Sequence, residues 1–186
     1  TLVDVKKVFP SIHWEISLSR EDNTTIPCNK IAFYLQSDTL VKSAVPILAH
    51  LSPENYSVFV PSFDKERSDL QLNEEGVKYS VISKESLLSM KPDVLVVLND
   101  WTKSAKYIIL NARKMGIPTI CIQESMIDFS TNSRMQFSEA VCLQGSWYLN
   151  KLDSKITLLT GNSRYESLLE KSSKGGERLV VNCNFT

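Results

Sequence analysis

DVLVVLND, residues 93–100, sets five apolar residues in a row between two aspartates and an asparagine. A strand with one wet face alternates apolar and polar side chains. One that is apolar at every position has to bury both faces, as happens inside a parallel sheet covered by helices on each side. Working outward, TKSAKYIILNARKMG (102–116) follows with helical spacing, a threonine placed to cap its start and a glycine placed to end it. IPTICIQE (117–124) is then another apolar run that stops on polar residues. Upstream, IAFYLQ (31–36) reads as a strand and DTLVKSAVPILAHL (38–51) as a helix strained or kinked by Pro46, while YSVFVP (56–61) and VKYSVI (77–82) read as two more strands. Downstream, AVCLQG (140–145) and KITLLTG (155–161) continue the series around a short helix, SWYLNKL, and GGERLVVNCNFT (175–186) opens an eighth apolar run.

Strands alternating with helices at this spacing imply right-handed crossovers and a doubly wound, mostly parallel, Rossmann-like α/β sheet in three layers, α/β/α. Residues 1–29 do not share the rhythm. They hold two prolines and a polar SREDNTT stretch, and read as an N-terminal arm leading into a domain spanning 30–186.

The 186 residues are 42% hydrophobic and 23% charged, enough for a core without disulfide staples. Lys plus Arg and Asp plus Glu both total 21, so no basic field favours nucleic acid as a partner. Cys28, Cys121, Cys142 and Cys183 show no metal-like spacing; they read as small hydrophobes in a reducing compartment, which places the chain in the cytoplasm. No apolar run approaches the roughly 18 residues of a membrane span, and no metal or cofactor is expected. The glycine-rich turns of dinucleotide and P-loop sites, the nucleophile elbow of the hydrolases and the zinc-protease helix are all missing. His13 and His50 read as structural or solvated.

In an open parallel sheet, ligands collect at the carboxyl ends of the strands, where loops converge and helix N-termini point their free N–H groups. Those ends hold Gln36-Ser37-Asp38, Pro61-Ser62-Phe63-Asp64, Asn99-Asp100-Trp101, Gln123-Glu124-Ser125, Gln144-Gly145-Ser146 and Gly161-Asn162-Ser163-Arg164. Asp38, Asp64, Thr102 and Ser146 read as helix caps. Gln36, Asn99, Trp101, Gln144 and Asn162 read as the lining of one binding cleft. Glu124 is the candidate ligand-contacting carboxylate, since it directly follows a buried strand and has no capping pattern after it. Asn162 and Arg164 also suit a plain turn and a surface charge, with Gly161 allowing a positive φ.

The run from IPTICIQESMIDF through TNSRMQFSEAVCLQGSWYLNKL to KITLLTGNSRYESLL resembles the second half of the N-terminal domain of the UDP-N-acetylglucosamine 2-epimerases and their GT-B glycosyltransferase relatives. Gln123-Glu124-Ser125, Asn132-Ser133-Arg134, Gln144-Gly145-Ser146 and Thr160-Gly161-Asn162 stand where that superfamily has its short motifs, and VKSAVPILAHL is similar to its opening helix. The resemblance covers about residues 30–186. It implies the acceptor-side half of a two-domain enzyme, with Glu124 as a base, Arg134 among the substrate-binding residues, and a nucleotide-sugar donor held mainly by a second domain that LVVNCNFT would lead into. It implies work at the inner membrane face on a cell-surface polysaccharide or cell-wall acceptor.

The sequence departs from the epimerases at two places. Gln36-Ser37-Asp38-Thr39 replaces their Gly-Thr-Arg-Pro-Glu loop, and the histidine and glycine around the strand-five glutamate are absent. A glycosyltransferase or glycerophosphate-type transferase is therefore the activity the resemblance implies first, and an epimerase-like half the second. Read without the resemblance, the chain also fits a non-catalytic small-ligand or sugar-binding module, or an interaction domain that associates through residues 1–29.

Overall fold

The computed structural model describes residues 30–62, 68–124, 137–146, 152 and 156–165. Seven strands form one sheet: β1 (Ile31–Tyr34), β2 (Tyr56–Pro61), β3 (Ser80–Ile82), β4 (Val94–Val97), β5 (Thr119–Ile122), β6 (Ala140–Leu143) and β7 (Ile156–Leu159). Their spatial order is β3-β2-β1-β4-β5-β6-β7, and every neighbouring pair is parallel. Helices α1 (Asp38–Leu48), α2 (Ser68–Glu74), α3 (Lys84–Ser89) and α4 (Lys103–Lys114) connect the first five strands. The doubly wound Rossmann-like class read from the sequence is the fold observed.

β4 shows why its composition decides the class. Leu95 and Val97 pack on one face of the sheet with Ile108, Ile109 and Ala112 of α4 and with Leu87 and Leu88 of α3. Val94, Val96 and Leu98 pack on the other with Leu40, Val41, Ala44 and Leu48 of α1 and Leu72 of α2. All four β4 residues are buried. Two cores of this kind, one per face, need a central strand with no polar face.

Element ends differ from the sequence reading in instructive ways. β1 ends at Tyr34, with a last N–H bond from Leu35 to the Phe59 carbonyl at 2.9 Å, which leaves Gln36 in the loop beyond it. The segment read as a strand from Val77 begins pairing only at Ser80. Its first residues close α2 instead: Gly76 takes φ +66° and the Val77 N–H bonds back to the Leu72 carbonyl at 2.9 Å. The same closure ends α4, with Gly116 at φ +73° and the Ile117 N–H on the Ala112 carbonyl at 2.9 Å. The helix read over 38–51 stops at Leu48, and it carries Pro46 without ending there. α2 and α3, seven and six residues long, were not anticipated. Residues 1–29, the SWYLNKL helix apart from Ser146 and Leu152, and the run 175–186 lie outside the described residues.

Because all seven strands run the same way, their carboxyl ends share one edge. The chain winds from β1 toward β2 and β3 on one side and from β4 toward β7 on the other. The topological switch point is therefore the β1/β4 junction, where the flanking connections diverge and leave a crevice.

Candidate functional site at the carboxyl edge

Two groups of polar side chains form at this edge. The first sits at the switch point. Gln36, two residues past β1, and Asn99, two residues past β4, are both more than nine-tenths buried. The Thr102 hydroxyl lies between them, 3.1 Å from Gln36 Oε1 and 3.3 Å from Asn99 Oδ1. Thr102 is the N-cap expected for α4, and its Oγ1 accepts the Ala105 N–H at 3.1 Å. Gln36 Nε2 is buried and has no hydrogen-bond partner among the described residues. Trp101, beside this group, leaves 42% of its surface in solvent.

The second group lies across β5, β6 and β7. Glu124, just past β5, forms an ion pair with Arg164, Oε1 to Nη1 at 3.6 Å, with both side chains part-buried. Arg164 is presented by a turn of local chemistry. Gly161 takes φ +75°, and the Asn162 carboxamide oxygen accepts the Arg164 backbone N–H at 3.1 Å. The Ser163 hydroxyl then donates to the Ser43 carbonyl of α1 at 2.8 Å, tying this turn to the helix that follows β1. Gln144 acts as a clamp: its Nε2 donates to the carbonyls of Gln123 and Glu124 at 3.0 and 2.9 Å, while its backbone N–H donates to Gln123 Oε1 at 3.0 Å. Gln144 thus fixes the backbone from which the Glu124 carboxylate projects.

Of the residues read from the sequence, Gln36 and Asn99 come together through Thr102, and Glu124, Gln144 and Asn162 come together through Arg164 and the Gln123 backbone. Arg134 lies outside the described residues, as does Asp64. Asp38 is not the cap it was read as. It is the first residue of α1 and accepts the N–H of Thr39 at 2.8 Å, while Ser37 holds the cap position. Its charge still suits a helix start. His50 is exposed.

Two residues carry more than the sequence reading gave them, Arg164 having been read as a surface charge and Asp100 only as part of a strand end. Arg164 is the partner of Glu124, forty residues later in the chain, which strand-end bookkeeping on one element at a time does not reveal. Asp100 is fully buried, and its Oδ2 accepts the backbone N–H of Phe137 at 2.8 Å and of Ser138 at 3.4 Å. It pins the chain where it returns toward β6. The signal was present in part, since an aspartate two residues past an all-apolar run is set deep in the fold. Cys121 and Cys142 are not joined in a disulfide, and burial pushes the Cys142 thiol up to about 12. No group of three metal-capable side chains gathers among the described residues, and no described helix is long and apolar enough to cross a membrane.

The fold and its carboxyl edge define a Rossmann-like domain that gathers polar side chains from the loops after β1, β4, β5, β6 and β7. No family model matches the sequence, and no curated protein matches it. Solved structures do match the fold. UDP-GlcNAc 2-epimerase from Neisseria meningitidis, solved bound to UDP-GlcNAc, aligns at TM-score 0.57 and 15% identity over 78% of this chain and 50% of that one. A putative UDP-N-acetylglucosamine 2-epimerase from Listeria monocytogenes aligns at 0.59 and 12%, over 82% and 50%, and the enzyme from Rickettsia bellii at 0.51 and 13%, over 78% and 48%. The chain thus spans about half the length of the structures it matches. At these identities the likeness is one of fold. The resemblance drawn from short motifs holds at that level: the fold is shared with about half of each of these structures.

Proposed function

We propose that this chain is the acceptor-side half of a two-domain, GT-B-like enzyme that works on a nucleotide sugar. The observation that carries the reading is the Glu124–Arg164 pair at the carboxyl edge of a sheet whose fold recurs as half of UDP-GlcNAc 2-epimerases. In the transfer reading, a hydroxyl of a glycan or cell-wall acceptor attacks the anomeric carbon of the donor sugar and gives its proton to Glu124. The bond from that carbon to the nucleotide diphosphate breaks, and the electron pair leaves with the diphosphate. Arg164 holds the carboxylate in place, and the Gln144 clamp fixes its backbone. The donor is held mainly by a second domain beyond this chain, since the described strand ends carry no glycine-rich phosphate turn. We place the reaction in the cytoplasm, where reduced thiols such as those of Cys121 and Cys142 persist.

A second reading is favoured by what the matched structures are, all three being named as 2-epimerases. In it the same carboxylate moves a proton at the sugar C2, which inversion at that carbon requires.

The intact gene product, incubated with UDP-GlcNAc and related nucleotide sugars in D2O, separates the two readings. Deuterium at C2 of recovered donor marks epimerisation; released nucleotide diphosphate with no C2 exchange marks transfer. Glu124→Gln is expected to lower either rate on the order of a hundredfold, the typical cost of a lost general base. The 186-residue chain alone is expected to be inactive. Turnover by that chain would sink the half-enzyme reading, and an unimpaired Glu124→Gln enzyme would sink the role of the carboxylate.

A further inference from the structure

The switch-point network is short of hydrogen-bond donors. The Thr102 hydroxyl has one proton, and its oxygen already accepts the Ala105 N–H. It faces two carbonyl oxygens, Gln36 Oε1 and Asn99 Oδ1, and can satisfy only one at a time. Turning the Gln36 amide over removes that conflict, because its nitrogen would then donate to Thr102 and Thr102 to Asn99. It does so only by putting the Gln36 oxygen where the nitrogen had been. In either orientation one buried atom of the Gln36 amide has no partner among the described residues. Buried polar atoms are rarely left so, because the lost hydration is not recovered.

A ligand hydroxyl, which both donates and accepts, completes the network in either orientation. A few converging polar groups beside an aromatic are the usual makings of a small-ligand site. The aromatic here is Trp101, a residue type most often largely buried, yet 42% exposed at this edge. The place is also the switch point at which α/β sheets hold ligands.

We infer that the β1/β4 junction is a subsite for a neutral sugar ring, in which the Gln36 amide hydrogen-bonds one ring hydroxyl and Trp101 lies against the apolar face of the ring. The inference rests on the proposed nucleotide-sugar reading for its substrate class and makes this half of the cleft the part that selects the acceptor glycan. Gln36 sits there at a cost to the resting domain. Replacing it with an apolar side chain of similar length should therefore weaken binding while leaving the fold as stable or more so.

The test titrates the full chain with methyl glycosides of glucose, galactose, mannose and N-acetylglucosamine by ligand-observed NMR, with glycerol as the control polyol. Gln36→Met is expected to weaken the best-bound glycoside about threefold to tenfold, the worth of one hydrogen bond, with an unchanged or raised melting temperature. Trp101→Ala is expected to weaken it by a similar factor, and Trp101→Phe to keep most of the affinity.

Absence of binding to any glycoside, binding no better than that of glycerol, or an affinity unmoved by Gln36→Met overturns the inference. If Gln36→Met lowers the melting temperature, the decision passes to Trp101→Ala, whose unaltered affinity would overturn it. Failure of the underlying reading looks different. Glycoside binding that responds to these substitutions, with no nucleotide-sugar turnover by the intact gene product, keeps the subsite and removes the enzyme. Turnover with unresponsive glycoside binding does the reverse.

Discussion

Replacing Asp100 with alanine should be among the most damaging single changes outside the apolar core. The carboxylate is fully buried and accepts the Phe137 N–H at 2.8 Å and the Ser138 N–H at 3.4 Å, and Ser138 is itself fully buried. The shorter bond is charge-assisted, of the kind worth roughly 1.5–3 kcal/mol, and the longer one is weak. Alanine would leave the buried Ser138 N–H and the part-buried Phe137 N–H without this acceptor, so the expected loss is about 2–4 kcal/mol of unfolding free energy. For a chain of this size that corresponds to a fall of about 5–15 °C in melting temperature. Asp100→Asn keeps an acceptor oxygen but not the charge and should cost about half as much. Urea unfolding with an unchanged m-value is the assay. Hydrogen exchange adds a local readout. Phe137 and Ser138 should lose protection, whereas Glu139 should keep it, because its backbone N–H bonds to Thr119 Oγ1 at 3.1 Å and its carboxylate accepts the Thr119 N–H at 3.0 Å. A change in stability below about 0.5 kcal/mol, within the range of ordinary surface substitutions, or an asparagine variant as unstable as the alanine one, would refute the account.

Three further outcomes follow from the same geometry. Thr102→Val removes the cap of α4 and its bonds to Gln36 and Asn99, and should cost about 1–2 kcal/mol in chemical denaturation, with Thr102→Ser recovering most of it. Gly161→Ala meets no atom within 4 Å of the added methyl group but must hold φ +75°. It should lose about 1 kcal/mol from backbone strain alone, and Gly161→Asn less. Raising the Cys142 thiol from 9.0 to about 12 makes the folded state hold a proton that the unfolded chain releases. Its contribution should be complete below pH 9 and decline as pH rises from 9 through 12, a slope that unfolding curves of Cys142→Ala should lack. The native thiol should also resist alkylation at pH 8.

The sequence by itself determined the class of fold and the edge on which to look. The VLVVL run at 94–98 can only be central, because each of its side chains avoids water and the two faces of a strand alternate. Thr102 and Gly116 were legible as the ends of α4 because capping depends on residues a few positions apart. The short helices α2 and α3 were not legible, since six or seven residues carry too few turns for a helical period to show. What only the tertiary structure decided is which strand ends meet. The order β3-β2-β1-β4-β5-β6-β7 sets Gln36 beside Asn99 across 63 residues of chain and Glu124 beside Arg164 across 40. It also set Gln144 to hold two carbonyls, and Asp100 to hold the segment that returns toward β6. Hydrophobic period and capping act over a few residues and are written locally. The partner of a polar side chain is fixed by strand order and loop path, which no local pattern encodes.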